Sequence, residues 1–225
     1  MSKVLENIKN QFIDKALFEQ ALTHRSWVNE NKGKRTSNER LEFLGDAILE
    51  YIVSDSIFRE FPLKEEGYLT ALRANLVNTV NLSDVANKLE IGKILFLSRG
   101  EDEGGGRNNN SLLADTVEAM IGAIFIDQGI EAAKQFITEN ILSQVQEKVS
   151  LPLKDAKSRF QEEVQAQGMS TPRYSLITES GPDHAKEFLV KVEVDGKSFG
   201  EGAGKSKSEA EQKAAESALE KLGKK

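Results

Sequence analysis

Asn38–Ala47, NERLEFLGDA, is the stretch from which the rest of the chain can be read. Asn38 suits a helix N-cap, because its side-chain oxygen can accept from a free backbone N–H. Leu41, Leu44, Ala47, Ile48 and Ile52 follow at helical steps and form a stripe fit for burial. Three carboxylates stand among them. Glu39, Glu42 and Asp46 are three and four residues apart, so they line one face of the helix. Like charges at that spacing repel, and a divalent cation would offset them. Acids spaced along a helix are most often a solvated face, and Glu39 and Glu42 also suit a helix N-terminus through the macrodipole. Crowding argues for more: Asp46 lies in a run that turns strongly apolar, and a carboxylate pressed into apolar surroundings needs a partner.

The pattern predicts that this helix runs from Asn38 to about Arg59 and stops before Pro62. A second acid-bearing helix is predicted from Ser111, SLLADTVEAMIGAIFIDQG. It is apolar nearly all round, so it should be central and buried. Asp115 and Glu118 sit within it, three apart and on one face. Two acids in a buried helix are paired or bind a metal. If the two helices are neighbours, Glu39, Glu42, Asp46, Asp115 and Glu118 converge, with Glu66 added from the connection. An all-oxygen donor set favours Mg²⁺, with Mn²⁺ as a substitute, over zinc. Such a cation can lower the pKa of bound water and neutralise charge on a phosphoryl group, which points to phosphodiester hydrolysis. A di-iron bundle would need Glu-x-x-His pairs, and no His lies near these acids. Structural ion pairing is the plain alternative.

Around these two helices the first part of the chain has helical periodicity and no convincing strand. Short amphipathic helices are expected at 3–12 and 15–22, and longer ones at 69–80, 81–92 and 130–148. His24 has no partner at ligand spacing and reads as a structural histidine. Residues 29–37 and 99–110 read as polar loops. Gly104–Gly106 do not make a phosphate loop, because no Lys-Ser or Lys-Thr follows.

The pattern changes at Ser150–Lys154, which contains Pro152 and reads as a linker between domains at 1–149 and 155–225. Asp155 should cap a helix to about Gln167. Strands follow at 174–178, 187–194 and 197–202, with Asp195-Gly196 as a two-residue hairpin turn. A helix at 206–222 completes an α-β-β-β-α module. GAGKS at 202–206 is not a phosphate loop either, since Phe199 occupies the first glycine position. Lys205 and Lys207 open the last helix, where N–H groups and positive charge favour phosphate. Gln161 and Gln165 are four apart on the first helix and can reach groove edges or 2′-hydroxyls, and His184 stands in the loop between the first two strands. No run of aromatics suits base stacking, so recognition of an A-form duplex by shape is the better fit.

The totals suit one or two soluble domains. The 225 residues carry 39% hydrophobic and 29% charged side chains, an ordinary globular balance. Net charge is −6; residues 1–150 hold 17 Lys/Arg against 23 Asp/Glu, whereas residues 151–225 hold 13 of each. The acidic excess therefore belongs to the first part alone. No apolar run approaches the ~18 residues of a membrane span, and the N-terminus lacks a secretory pattern. The absence of Cys suits a reducing cytoplasm. No membrane association and no organic cofactor are expected.

NERLEFLGDA at 38–47, EEGYLTALRANLVN at 65–78 and LLADTVEAMIGAIFID at 112–127 resemble the ribonuclease III family. DAKSRFQE at 155–162, GPDH at 181–184 and GKSKSEAEQKAA at 204–215 resemble the double-stranded-RNA-binding domain that such enzymes carry. The likeness covers nearly the whole chain. It implies a multidomain chain with an all-α endonuclease domain followed by a small α+β RNA-binding domain. Glu42, Asp46, Asp115 and Glu118 would be metal ligands, with Asp46 and Glu118 tied most directly to hydrolysis and Glu39 and Glu66 as accessory acids. Phe43 would pack across a homodimer interface formed by its helix. Ser158, Gln161, Glu162, Gln165, His184, Lys205 and Lys207 would contact RNA. The implied products carry 5′-phosphate and 3′-hydroxyl ends with short 3′ overhangs, and the implied substrates are precursor ribosomal RNA and structured messages. Two departures stand out: Ser208 follows Lys207 where the family often has a second lysine, and a second basic residue near Asn109 is missing. The four central acids are all present, which counts against a non-catalytic RNA-binding relative.

Overall fold

The computed structural model describes residues 3–145, 155–182 and 186–223. The chain divides into two compact units, Met1–Leu153 and Lys154–Lys225. The first is helical: α1 (Lys3–Gln11), α2 (Lys15–Ala21), α3 (Arg25–Glu30), α4 (Glu39–Glu60), α5 (Glu66–Val77), α6 (Thr79–Leu89), α7 (Arg99–Glu103), α8 (Asn110–Gln128) and α9 (Ile130–Asn140). Among the described residues, none of these helices is long and apolar enough to cross a membrane.

α8 is the axle of this unit. Ten of its residues are buried, from Leu113 to Ile124, and α2, α4, α6 and α9 pack around it. Helix α4 offers α8 its apolar face: Leu41, Gly45, Ile48, Leu49 and Ile52. The two backbones touch where they cross. A Cβ at Gly45 would stand 1.8 Å from the carbonyl oxygen of Glu118, and one at Gly122 would stand 2.2 Å from that of Leu41. Only glycine, lacking a Cβ, permits this approach.

Several sequence expectations need correction. Asn38 makes no side-chain cap. It is buried, and its Nδ2 donates to the carbonyl of Ala21 at 3.4 Å, while its N–H donates to that of Thr23; tertiary anchoring has replaced local capping. The helix expected at 69–80 starts earlier, at Glu66, and ends at Val77. Asn78 breaks it by turning extended and capping α6 through its side chain. Residues 99–110 are not simply a loop. Ser98 caps α7, and Arg107 ties that segment down with bonds to both carboxylate oxygens of Asp102, at 2.7 and 2.9 Å. Of the helix expected at 130–148, α9 ends at Asn140 and a short 3-10 turn, Leu142–Gln144, follows; residues 146–148 lie outside the described residues.

The second unit contains α10 (Ala156–Ala166), β1 (Arg173–Ser180), β2 (Glu187–Val194), β3 (Lys197–Gly204) and α11 (Lys207–Leu222). Its sheet is antiparallel in the order β1-β2-β3. Asp195 and Gly196 both take positive φ, 49° and 76°, as a type I′ hairpin turn demands. β2 buries Val190, Val192 and Val194 against Phe160, Val164 and the alanines of α11. β1 and β3 are longer than expected; β3 runs on through Gly202, Ala203 and Gly204, which lack the branched and aromatic side chains that announce a strand. Those glycines are needed: a Cβ at Gly202 would lie 2.2 Å from the amide nitrogen of Ala214.

Candidate active site

The crossing of α4 and α8 brings the predicted acids together. One carboxylate oxygen from each of Glu42, Asp115 and Glu118 lies within 4.8 Å of the other two. All three residues are half-buried. Their spacing explains the meeting: Glu42 stands one turn before Gly45 on α4, and Glu118 carries the very carbonyl that Gly45 touches.

Burial and mutual repulsion dominate the electrostatics. Glu118 has its pKa pushed up to about 8, first by burial, then by the charges of Asp46, Asp115, Glu42 and Glu50. Burial also raises the pKa of Glu42, helped by Asp115, Glu39 and Asp46. Asp115 is raised by burial, while the charge of His24 and a backbone hydrogen bond work against it. Among the described residues, no basic side chain forms an ion pair with these three acids; a divalent cation with oxygen preference would relieve all three at once.

The other predicted acids take separate places. Asp46 is exposed, as is Ala47 beside it, and not pressed into apolar surroundings as its neighbours in sequence suggest; Ile48 and Leu49 turn into the core on another face of α4. It stands outside the group of three, yet close enough for its charge to act on Glu42 and Glu118. Glu39 accepts from Ser37 Oγ at 2.9 Å and pairs with Arg25 Nη1 at 3.3 Å. Glu66 does not join the cluster in this chain: it lies in the first turn of α5 and accepts from Thr70 Oγ1 at 2.8 Å.

His24 has the structural role expected of it. It is the N-cap of α3, and its Nδ1 accepts from the N–H of Ser26 at 3.3 Å. Its closeness to Asp115 was not legible from spacing. Arg107, the basic residue of the 107–111 segment, is occupied by Asp102 and by the carbonyls of Gly92 and Leu95. Asn109, near which the family pattern has a second basic residue, caps α8 by accepting from the N–H groups of Ser111 and Leu112. Phe43 lies on the solvent side of α4 with 80% of its surface exposed.

In the second unit, Gln161, Glu162 and Gln165 are exposed along α10. Ser158 is engaged locally, its Oγ donating to Asp155 Oδ2 at 2.8 Å in the helix cap. Lys205 and Lys207 are exposed around the N-cap Ser206 of α11. Lys207 Nζ lies 5.9 Å from the ring centre of Phe188, and Ser208 beside it is exposed. Lys213, by contrast, is paired with Glu209 at 2.7 Å. His184 falls outside the described residues.

Comparison with known proteins agrees with both halves. Residues 14–145 match the family model described as Ribonuclease-III-like, and residues 156–222 match the double-stranded RNA binding motif. A Ribonuclease 3 from Geobacillus sp. (strain WCH70) is 46% identical over 212 residues, covering 94% of this chain and 86% of that protein. One from Natranaerobius thermophilus is 44% identical over 213 residues, covering 95% and 93%. A solved nuclease domain of ribonuclease III from Campylobacter jejuni, described for structural flexibility in a region involved in dimer formation, is 40% identical with a TM-score of 0.55. The match covers 62% of this chain and 96% of that one.

Proposed function

The chain belongs to the ribonuclease III family, and from that premise we propose that it hydrolyses phosphodiester bonds in double-stranded RNA at a Mg²⁺ site held by Glu42, Asp46, Asp115 and Glu118. It is an endoribonuclease with an RNA-binding motif; the metal, the roles of individual residues and the products form the proposal. The observation that carries it is the convergence of Glu42, Asp115 and Glu118 within 4.8 Å. A cluster of oxygen donors with raised proton affinity fits a hard divalent cation. When bound, Mg²⁺ supplies an activated water and neutralises charge on the phosphoryl oxygens.

The chain's own residues divide the remaining work. Asp46 and Glu118 are assigned to hydrolysis, with Asp46 on the open side, where a phosphate can approach, and Glu118 on the buried side. Glu39 flanks the site. Glu66 stands apart in this chain and is assigned as an accessory acid. Domains at 1–149 and 155–225 are joined through 150–154. Gln161, Glu162, Gln165, Lys205 and Lys207 hold the duplex from the second domain, with Ser158 and His184 assigned to the same surface. Phe43 forms the seam of a homodimer: with Tyr51 and Phe58, exposed at 64% and 68%, it makes an apolar stripe on one face of α4. Cleavage leaves 5′-phosphate and 3′-hydroxyl ends with short 3′ overhangs on precursor ribosomal RNA and structured messages.

The test is Glu118→Gln on a long RNA duplex with Mg²⁺. The variant should lose cleavage and keep duplex binding; cleavage at the full rate would refute the assignment. A wild-type chain that binds the duplex but cuts nothing with Mg²⁺ or Mn²⁺ would be a binding protein instead.

A further inference from the structure

Glu50 continues the acidic stripe of α4 one turn beyond Asp46. Another helix claims it. Arg73 of α5 places its Nε 2.9 Å from Glu50 Oε2, and its Nη1 donates to Ser54 Oγ at 3.0 Å. One guanidinium thus grips two successive turns of α4, and its planar fork fixes the direction of the Glu50 carboxylate. Glu50 is not remote from the cluster, since its charge is felt at Glu118. The pair is more than a third exposed on both sides, and a pair of that kind adds little to stability. Its placement needs another explanation.

We propose that Arg73 is a positioning residue of the cation site, which holds Glu50 out of the acidic cluster so that the site keeps four carboxylates rather than five. The inference rests on reading the cluster as a cation site. A fifth free carboxylate would attract the cation more strongly. It would also repel an incoming phosphate and compete for the positions that Mg²⁺ leaves to water and substrate.

The experiment measures Mn²⁺ binding by the full-length, RNA-free chain with isothermal titration calorimetry, and KM and kcat for duplex cleavage alongside. Arg73→Met should tighten Mn²⁺ binding about three- to tenfold, the effect of one added charge acting on a divalent ion through a watery medium, and raise KM for RNA more than it lowers kcat. Glu50→Gln should weaken binding by a similar factor, because the Arg73 charge is then uncompensated. The double variant should return to within about twofold of wild type, since the two charges are removed together. Arg73→Lys keeps the charge but not the fork, so its Mn²⁺ affinity should fall between wild type and Arg73→Met. Unchanged or weaker binding in Arg73→Met, or a double variant that keeps the tighter value, overturns the inference. Thermal unfolding checks each fold. If Arg73→Met does not fold, Glu50→Gln decides: unchanged or tighter binding overturns the inference and weaker binding supports it. A wild type that binds no Mn²⁺ overturns the cation site and this inference with it. A wild type that binds, with Arg73→Met no different, overturns this inference alone.

Discussion

Gly45 rests directly on the main-chain carbonyl of Glu118: a Cβ at residue 45 would come within 1.8 Å of that oxygen. The contact is between backbones, so no side-chain rotation can relieve it. Gly45→Ala should therefore exceed the ordinary cost of overpacking, about 1–3 kcal/mol, and pull the Glu42 and Glu118 carboxylates apart. Chemical denaturation measures the first effect and duplex cleavage the second. Stability within about 0.5 kcal/mol of wild type, the range of an inert surface change, would show that the crossing is looser than described.

Glu118 gives the metal-free chain a pH dependence. Its pKa is about 8 in the fold, raised from an ordinary value of 4.5. The folded chain therefore holds a proton that the unfolded chain has released. The associated stability is fully present below pH 4.5 and is lost as pH rises towards 8. In EDTA, wild type should lose Tm relative to Glu118→Gln across that window. A constant difference between the two would contradict the raised value. Binding of Mg²⁺ should release protons, and more of them near pH 7 than above pH 9, because the ligand must be deprotonated.

Phe43 tests the dimer. It is 80% exposed on α4, where an aromatic ring loses contact with water only if another surface covers it. Phe43→Asp should weaken self-association at least about tenfold, as for a central interface residue, with little loss of monomer stability. Analytical ultracentrifugation reads both species. Unchanged association would remove Phe43 from the seam.

Lys205 and Lys207 are exposed at the start of α11, whereas Lys213 is held by Glu209. Neutralising either of the first two should weaken duplex binding and reduce the salt slope by about one. Neutralising Lys213 should change the slope less. Equal slopes for all three variants would count against phosphate contact at the helix start.

The acids were legible because carboxylates at helical spacing within an apolar pattern are uncommon without a reason. What the linear pattern could not reveal was direction. Asp46 sits between Gly45 and Ala47, and its neighbours suggest burial, yet it faces solvent while Glu118 is half-buried. Gly45 and Gly122 were visible as letters, but a glycine inside a helix announces a close approach only once its partner is known. Glu66 shows the same limit: proximity in a motif did not carry it to the cluster. Asn38 makes no cap whereas Asn78 does, since either residue can cap and only packing decides which does. The β2–β3 hairpin was read well because its turn is local: Asp195-Gly196 needs no distant partner.

The glycine crossing also bears on the order of folding. Residues 45 and 122 are separated by more than a third of the 225-residue chain. Joining them costs loop entropy before any packing is gained, so the contact belongs with the slow, non-local steps of folding. During synthesis, a chain with α4 complete and α8 still unmade has the acids of one helix and no cluster. If these acids form the proposed cation site, duplex cleavage must await the packing of α4 against α8. The charge repulsion that the site stores is imposed by backbone packing, and it arises in the same event that makes the domain stable.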